Sequence, residues 1–231
     1  MPRKPYIAQS RFPYHIMNRC NNRDWFTVPL PTVWGVFCEQ LSNSADRYSV
    51  CIHSFVLMSN HFHLMVLTSS GNLDQFLRHL LTEVCRSLKK ESKRINHIFG
   101  GRSKQTVLDS SYAVAYVYKY IYRNPVRAGL AERVEDYRFS SLYHSKLQTC
   151  PIPIADGLEP TWSLIPKGQN DREAWLNLPT SKEKEELITR ALRRTHFRFS
   201  RSNSIRKDLA QLSQSYAISH VDPYLLSPEG E

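Results

Sequence analysis

The chain has 231 residues, enough for one domain of ordinary size with an extension or for two small domains. Lys and Arg outnumber Asp and Glu by 31 to 21, a formal charge of +10, and 41 % of residues are hydrophobic; that share builds one sizeable core, and that surplus favours nucleic acid or an anionic membrane surface over an acidic partner, unless the protein is merely soluble and basic. The five cysteines form no CxxC pair, the start MPRKPYIAQSRFPY lacks an apolar core of signal-peptide length, and no run reaches the ~20 apolar residues of a membrane span; these features argue against a zinc knuckle, a disulfide framework and membrane insertion, and for a cytoplasmic protein.

In chain order, FPYHIMNR (12–19) carries β-formers and reads as a strand, and Asn21, Asn22 and Asp24 make the next stretch a loop. PTVWGVFCEQLSNSADRY (31–48) has apolar residues at 33, 34, 36, 37 and 41, the spacing of an amphipathic helix with Pro31 near its start. Residues 49–57 predict a second strand, Met58 to Asn60 a tight turn and 61–67 a third strand, together a short hairpin. LDQFLRHLLTEVCRSLKKESKRI (73–95) places Leu73, Phe76, Leu80, Leu81, Val84 and Leu88 at helical spacing. Its basic end, Lys89, Lys90, Lys93 and Arg94, suits either a helix C-terminus or a DNA backbone. GGRSKQTVLDS (100–110) reads as a turn and a fourth strand, and SYAVAYVYKYIYRNPVRAGL as a helix that must end by Asn124, ahead of Pro125.

The order β-α-β-β-α-β-α predicts an α+β fold: a ferredoxin-like antiparallel sheet with helices on one face. Past about residue 147 the composition shifts. QTCPIPIADGLEPTWSLIPKG reads as a linker, SKEKEELITRALRRTHFRF as a helix opened by Ser181, and 205–217 as a further short helix. The expected division is therefore 1–147 and a linker with a helical extension over 148–231.

SNHFHLMV (59–66) sets His61 and His63 one residue apart on a strand, so both face the same way with Cα atoms about 6.5–7 Å apart. Such a pair suits one small ion, but two ordinary strand histidines fit the same spacing. In the helix SYAVAYVYKYIYRN, Tyr112, Tyr116, Tyr118, Tyr120 and Tyr122 crowd together, and Val114, Val117 and Ile121 form the core stripe. Tyr120 and Asn124 are one turn apart, share a face and border that stripe. Two imidazoles, an amide oxygen and a phenol suit Mg²⁺ or Mn²⁺ held jointly with a phosphate, the phenol attacking phosphorus. The competing reading is that the tyrosines pack as core aromatics. A phenol needs activation near neutral pH, and Lys119 and Arg123 are nearby cations that would help.

YHIMNRCNNRDWF (14–26), FVLMSNHFHLMV (55–66), GRSKQTVLDS (101–110), YIYRNPVRAGL (120–130) and DYRFSSLYHS (136–145) together resemble the REP-associated tyrosine transposases, a branch of the single-tyrosine HUH transposases of bacterial insertion sequences. The resemblance covers about residues 1–147, and ITRALRRTHFRF matches loosely. Cys20 stands where that family usually has glycine, Ser59 where it often has proline, and FGGR where it has Trp-Glu-x-Arg. The resemblance implies a ferredoxin-like fold, a divalent metal on His61 and His63 with Asn124 as third ligand, and Tyr120 as nucleophile. It implies nicking and strand transfer of single-stranded DNA at hairpins through a 5′-phosphotyrosine. The cations expected to contact DNA are Arg19, Arg102, Lys104, Arg123 and Arg127, with Arg193 and Arg194 in the extension. The enzyme would act as monomer or homodimer.

Two other functions compete. A hairpin-binding regulator on the same fold has no use for the full set His61, His63, Tyr120 and Asn124. A two-histidine RNA phosphodiesterase needs a repeated His-x-Ser/Thr motif, and His53-Ser54 and His144-Ser145 do not supply that order.

Overall fold

The computed structural model describes residues 7–92, 96–157 and 160–199; Lys93, Arg94 and the helix expected over 205–217 lie outside them. Its elements follow the predicted order. Strand β1 is Tyr14–Arg19, helix α1 Leu30–Tyr48, β2 Val50–Leu57, β3 His61–Thr68, α2 Leu73–Glu91, β4 Lys104–Val107 and α3 Ser111–Arg127. The sheet order is β2-β3-β1-β4, with every neighbouring pair antiparallel. This is the ferredoxin-like arrangement, in which two βαβ halves interleave their strands.

The pleat divides the sheet into two faces. Tyr14, Ile16, Phe62, Leu64 and Val66 point to one side and pack under α1 and α2, which contribute Val33, Phe37, Leu41, Leu73, Phe76, Leu80 and Val84. A bulge between Ile52 and Ser54 keeps Ile52, Phe55 and Leu57 on that side despite their odd spacing. Each such side chain contributes about 1.5–3 kcal/mol by leaving water.

The expectation of helices on one face holds for α1 and α2 and fails for α3. Helix α3 packs on the opposite face, where Val114, Val117 and Ile121 meet Val56 and Met65. The physical reason is that apolar groups also face that side: Val56 and Met65 need a cover there, as Phe62, Leu64 and Val66 do on the other.

Helix α3 also runs past Asn124, with Pro125 inside it. Proline removes one N–H from the ladder, a loss that a helix tolerates for its last turn. The Asn124 side-chain amide donates to the Tyr120 carbonyl at 2.7 Å, and the helix closes at Gly129, whose φ of +68° only glycine adopts freely.

Three further helices follow: α4 Ser141–Lys146, α5 Gln169–Asn177 and α6 Lys182–Ala191, the last capped by Ser181 as its sequence predicted. The stretch read as a linker sends Ile152 into the first core and Trp162, Leu164 and Ile165 into the second, beside Trp175, Leu176 and Ile188. Ile154 lines up with Ile52 on the β2 edge, and the chain at Thr195 to Phe197 bonds Val107 on the β4 edge. Residues after 147 thus cover both open edges of the sheet, which would otherwise present unpaired backbone groups.

Candidate active site

The β2–β3 hairpin turns so tightly that Met58 N–H reaches the His61 carbonyl at 2.8 Å. His61 and His63 emerge from it on the α3 face with ring centroids 5.2 Å apart, nearly perpendicular. His61 Nδ1 lies 2.7 Å from Asn60 Oδ1, and Asn60 Nδ2 donates to the Arg23 carbonyl at 2.9 Å. The second bond fixes the amide's orientation, so its oxygen must accept from His61. The proton of His61 therefore sits on Nδ1 and Nε2 keeps its lone pair.

A third imidazole joins them. His15 Nε2 lies 2.9 Å from His63 Nδ1, with the rings stacked at 5.2 Å. His63 thus has Nδ1 engaged and Nε2 left over. Burial holds His15 at a pKa of about 3, and burial together with Arg19 holds His61 at about 4. His63 falls well below its ordinary value through burial first, then through electrostatic repulsion from its neighbours His15, His61, Arg19 and Arg127. All three are neutral at pH 7, the form that ligates metals.

Tyr120 closes the site. Its ring stands edge-on to His63 at 5.6 Å and to His15 at 6.4 Å. Of the five tyrosines in α3 it alone is partly exposed; Tyr112, Tyr116, Tyr118 and Tyr122 are buried. Tyr118 and Tyr122 pack on each other and toward Trp162 and Ser141, where burial raises both phenols above their usual range. Asn124 spends its amide nitrogen on the Tyr120 carbonyl, which leaves Oδ1 as an acceptor on the same helix face.

The cations separate into two groups. Arg19 stands opposite His61 in the β1–β3 ladder, and its buried Nε has no hydrogen-bond partner among the described residues. Arg127 lies over the Tyr120 ring at 5.3 Å and pairs with Glu185 of α6 at 2.8 Å. Lys104 is in the row His63–Met17–Lys104 across β3, β1 and β4, so it faces the same side, about 10 Å away at the usual strand spacing. Arg102, Arg193 and Arg194 are exposed, Arg102 before β4 and the others just past α6.

Arg123 is turned elsewhere: its guanidinium donates to the carbonyls of Leu176 and Asn177 at the end of α5. Lys119 donates to the Trp175 carbonyl at 2.7 Å and lies over that residue's ring. The expectation that either cation activates the phenol is corrected accordingly: both cap a helix C-terminus, where cations are favoured.

The groups that could serve a metal are therefore Nε2 of His61, Nε2 of His63 and Oδ1 of Asn124. Among the described residues no three His, Cys, Asp or Glu side chains are arranged to hold one metal ion by themselves. Such a lean set fits a hard divalent ion that completes its shell with water and phosphate oxygens. Sequence reading missed His15 and Asn60. The signal for His15 was its place in YHIMNR, but only the β3–β1 pairing brings it beside His63.

No protein-family model matches the chain, and no curated protein matches it. Among solved structures, that of a REP-associated tyrosine transposase bound to a REP hairpin aligns with a TM-score of 0.56 at 14 % identity, covering 68 % of this chain and 93 % of that one. A candidate transposase from Deinococcus radiodurans R1 aligns at a TM-score of 0.38 and 15 % identity over 52 % of this chain and 95 % of its own, a likeness too slight to argue from. The chain has the α+β fold of the REP-associated tyrosine transposase.

Proposed function

We propose that the protein is a single-tyrosine HUH transposase-type nuclease that nicks and transfers single-stranded DNA at hairpins. The observation that carries this reading is the partly exposed Tyr120 phenol set against His63, which with His61 leaves two Nε2 atoms free to serve a metal. The hairpin-bound structure with the same fold supports hairpin DNA as the ligand class.

His61, His63 and Asn124 Oδ1 would hold Mg²⁺ or Mn²⁺. When bound, the ion supplies Lewis-acid withdrawal of charge from a phosphoryl oxygen. The Tyr120 oxygen then forms a bond to phosphorus as the P–O3′ bond breaks. The phenolic proton passes to solvent, and the departing oxygen takes one up to become a free 3′-hydroxyl. One phosphoester replaces another, so the later transfer needs no nucleotide cofactor. Arg19, with its orphaned buried Nε, and Arg127 over the phenol offset the charge of the phosphate. Lys104, Arg102, Arg193 and Arg194 would track the rest of the backbone.

The test is incubation with hairpin oligonucleotides from the flanks of the protein's own gene, with Mg²⁺ and with a chelator. The reading requires nicked product and a protein–DNA adduct with metal only. Tight hairpin binding with neither product nor adduct would identify a regulator; full cleavage in chelator would remove the metal.

A further inference from the structure

The loop between β1 and α1 carries an exposed indole that the proposed reaction does not use. Trp25 is 74 % exposed, whereas Trp34, Trp162 and Trp175 are 8 %, 7 % and 8 % exposed. Leaving an indole in water forgoes the burial that the other three obtain, and its flat face is what a nucleobase stacks on.

The loop that presents it is not loose. Cys20 N–H donates to the Asn60 carbonyl at 2.8 Å, Phe26 N–H to Ser59 at 3.0 Å and Asn21 N–H to Ile98 at 2.8 Å. Phe26 turns inward against Phe99. Asn22 and Arg23 hold left-handed backbone, φ 54° and 62°, which costs energy for side-chain-bearing residues and persists where the surroundings enforce it. Asn60 is the junction: one amide binds the Arg23 carbonyl with its nitrogen and His61 with its oxygen. The residue that sets the tautomer of a candidate metal ligand therefore also fixes the loop bearing Trp25.

The surroundings select the occupant. Arg23 is exposed beside Trp25, Arg19 lies at the start of the loop, and Gly100, bonded to the Arg19 carbonyl, leads on to Arg102 and Lys104. An aromatic face among cations, next to a phosphate-binding candidate, suits a single strand better than an apolar protein surface.

We infer that Trp25 is a stacking platform for an unpaired base next to the phosphate at Tyr120. This rests on the nuclease reading above. It commits to single-stranded DNA flanking the hairpin, with the paired stem held elsewhere.

Two oligonucleotides test it on the full chain: a blunt hairpin, and the same hairpin with single-stranded flanks. Because the other three indoles are buried, a change in intrinsic fluorescence on DNA binding reports chiefly on Trp25. The flanked hairpin should quench the emission and the blunt one should not. Trp25→Ala should weaken the flanked hairpin about 5- to 150-fold, the usual loss for one stacked base, and leave the blunt hairpin unchanged; Trp25→Phe should restore most of the difference. Unaltered binding of the flanked hairpin by Trp25→Ala, or its binding without quenching, overturns the inference alone. Failure of the wild-type chain to bind either oligonucleotide overturns it together with the nuclease reading.

Discussion

The two faces of the sheet are built to opposite ends. Under α1 and α2 the contacts are apolar and aromatic, with Trp34 stacked on Phe55 and Phe37 packed on Phe62. Under α3 the same strands present His15, His61 and His63, with a phenol and an arginine above them. Adjacent residues of β3 thus face different surroundings: Phe62 packs in the apolar core, and His63 is buried against Tyr120, where the proposed function gives it a metal to hold. Imidazoles kept neutral by burial forgo hydration and are poorer filling than leucine. The first face should respond to substitution in stability and the second in activity.

The sharpest contrast comes from β3 itself. His61→Ala with His63→Ala should reduce cleavage at least about 10³-fold while hairpin binding persists, because affinity rests mainly on backbone charge. Phe62→Ala, one residue away, should cost about 3–5 kcal/mol of stability and lower activity only by unfolding the chain. Cleavage assays beside denaturant titrations would show whether the two losses separate. Equal destabilisation by both would erase the distinction between the faces.

His15 extends the comparison to β1. His15→Phe keeps a ring in the buried slot and removes the bond to His63. Mn²⁺ affinity should fall about 10- to 100-fold, the usual cost of losing a partner behind a metal ligand, with melting temperature nearly unchanged. Titration calorimetry with Mn²⁺ reads this without DNA, and an unchanged affinity would make His15 packing only.

The imidazole face should also make stability depend on pH. His15 and His61 have pKa values lowered from 6.5 to about 3 and about 4 in the folded chain, so the unfolded chain binds protons first as pH falls. The stability they contribute is complete above pH 6.5 and declines as pH drops toward 4 and 3. Melting temperatures of metal-free protein between pH 7 and 4 should therefore fall, and fall less steeply in His15→Phe. The same slope in both would contradict the assignment to His15.

The smallest effect is expected where the extension touches the site. Glu185→Gln releases Arg127, whose ion pair is partly exposed, so stability should change by about 1 kcal/mol or less. Cleavage should change a few-fold as the guanidinium over Tyr120 loses its anchor. No change in single-turnover rate would confine Glu185 to holding α6.

Much of this was legible from spacing. Strand alternation put His61 and His63 together, the helical repeat put Tyr120 with Asn124, and three helical apolar stripes with four runs of β-formers laid out the order of the elements. What needs long-range pairing was not legible. His15 meets His63 only because β1 lies beside β3, 48 residues apart in sequence. Arg123 and Lys119 sat in the right turn of α3, but α5, more than fifty residues on, draws them away. Helix α3 took the second face because Val56 and Met65 leave apolar surface there that needs a cover. Pro125 misled for a local reason: it stands near enough to the helix end that the lost hydrogen bond is tolerated.

The central claim is that Tyr120, and no other phenol of α3, attacks the phosphate. Mass spectrometry of protein trapped with a flanked hairpin oligonucleotide and Mg²⁺ tests it most directly. The account predicts a covalent conjugate mapping to Tyr120 in the wild-type chain, none in a folded, DNA-binding Tyr120→Phe, and conjugates retained in Tyr116→Phe and Tyr118→Phe. A conjugate on another tyrosine, or one that survives in Tyr120→Phe, would contradict it.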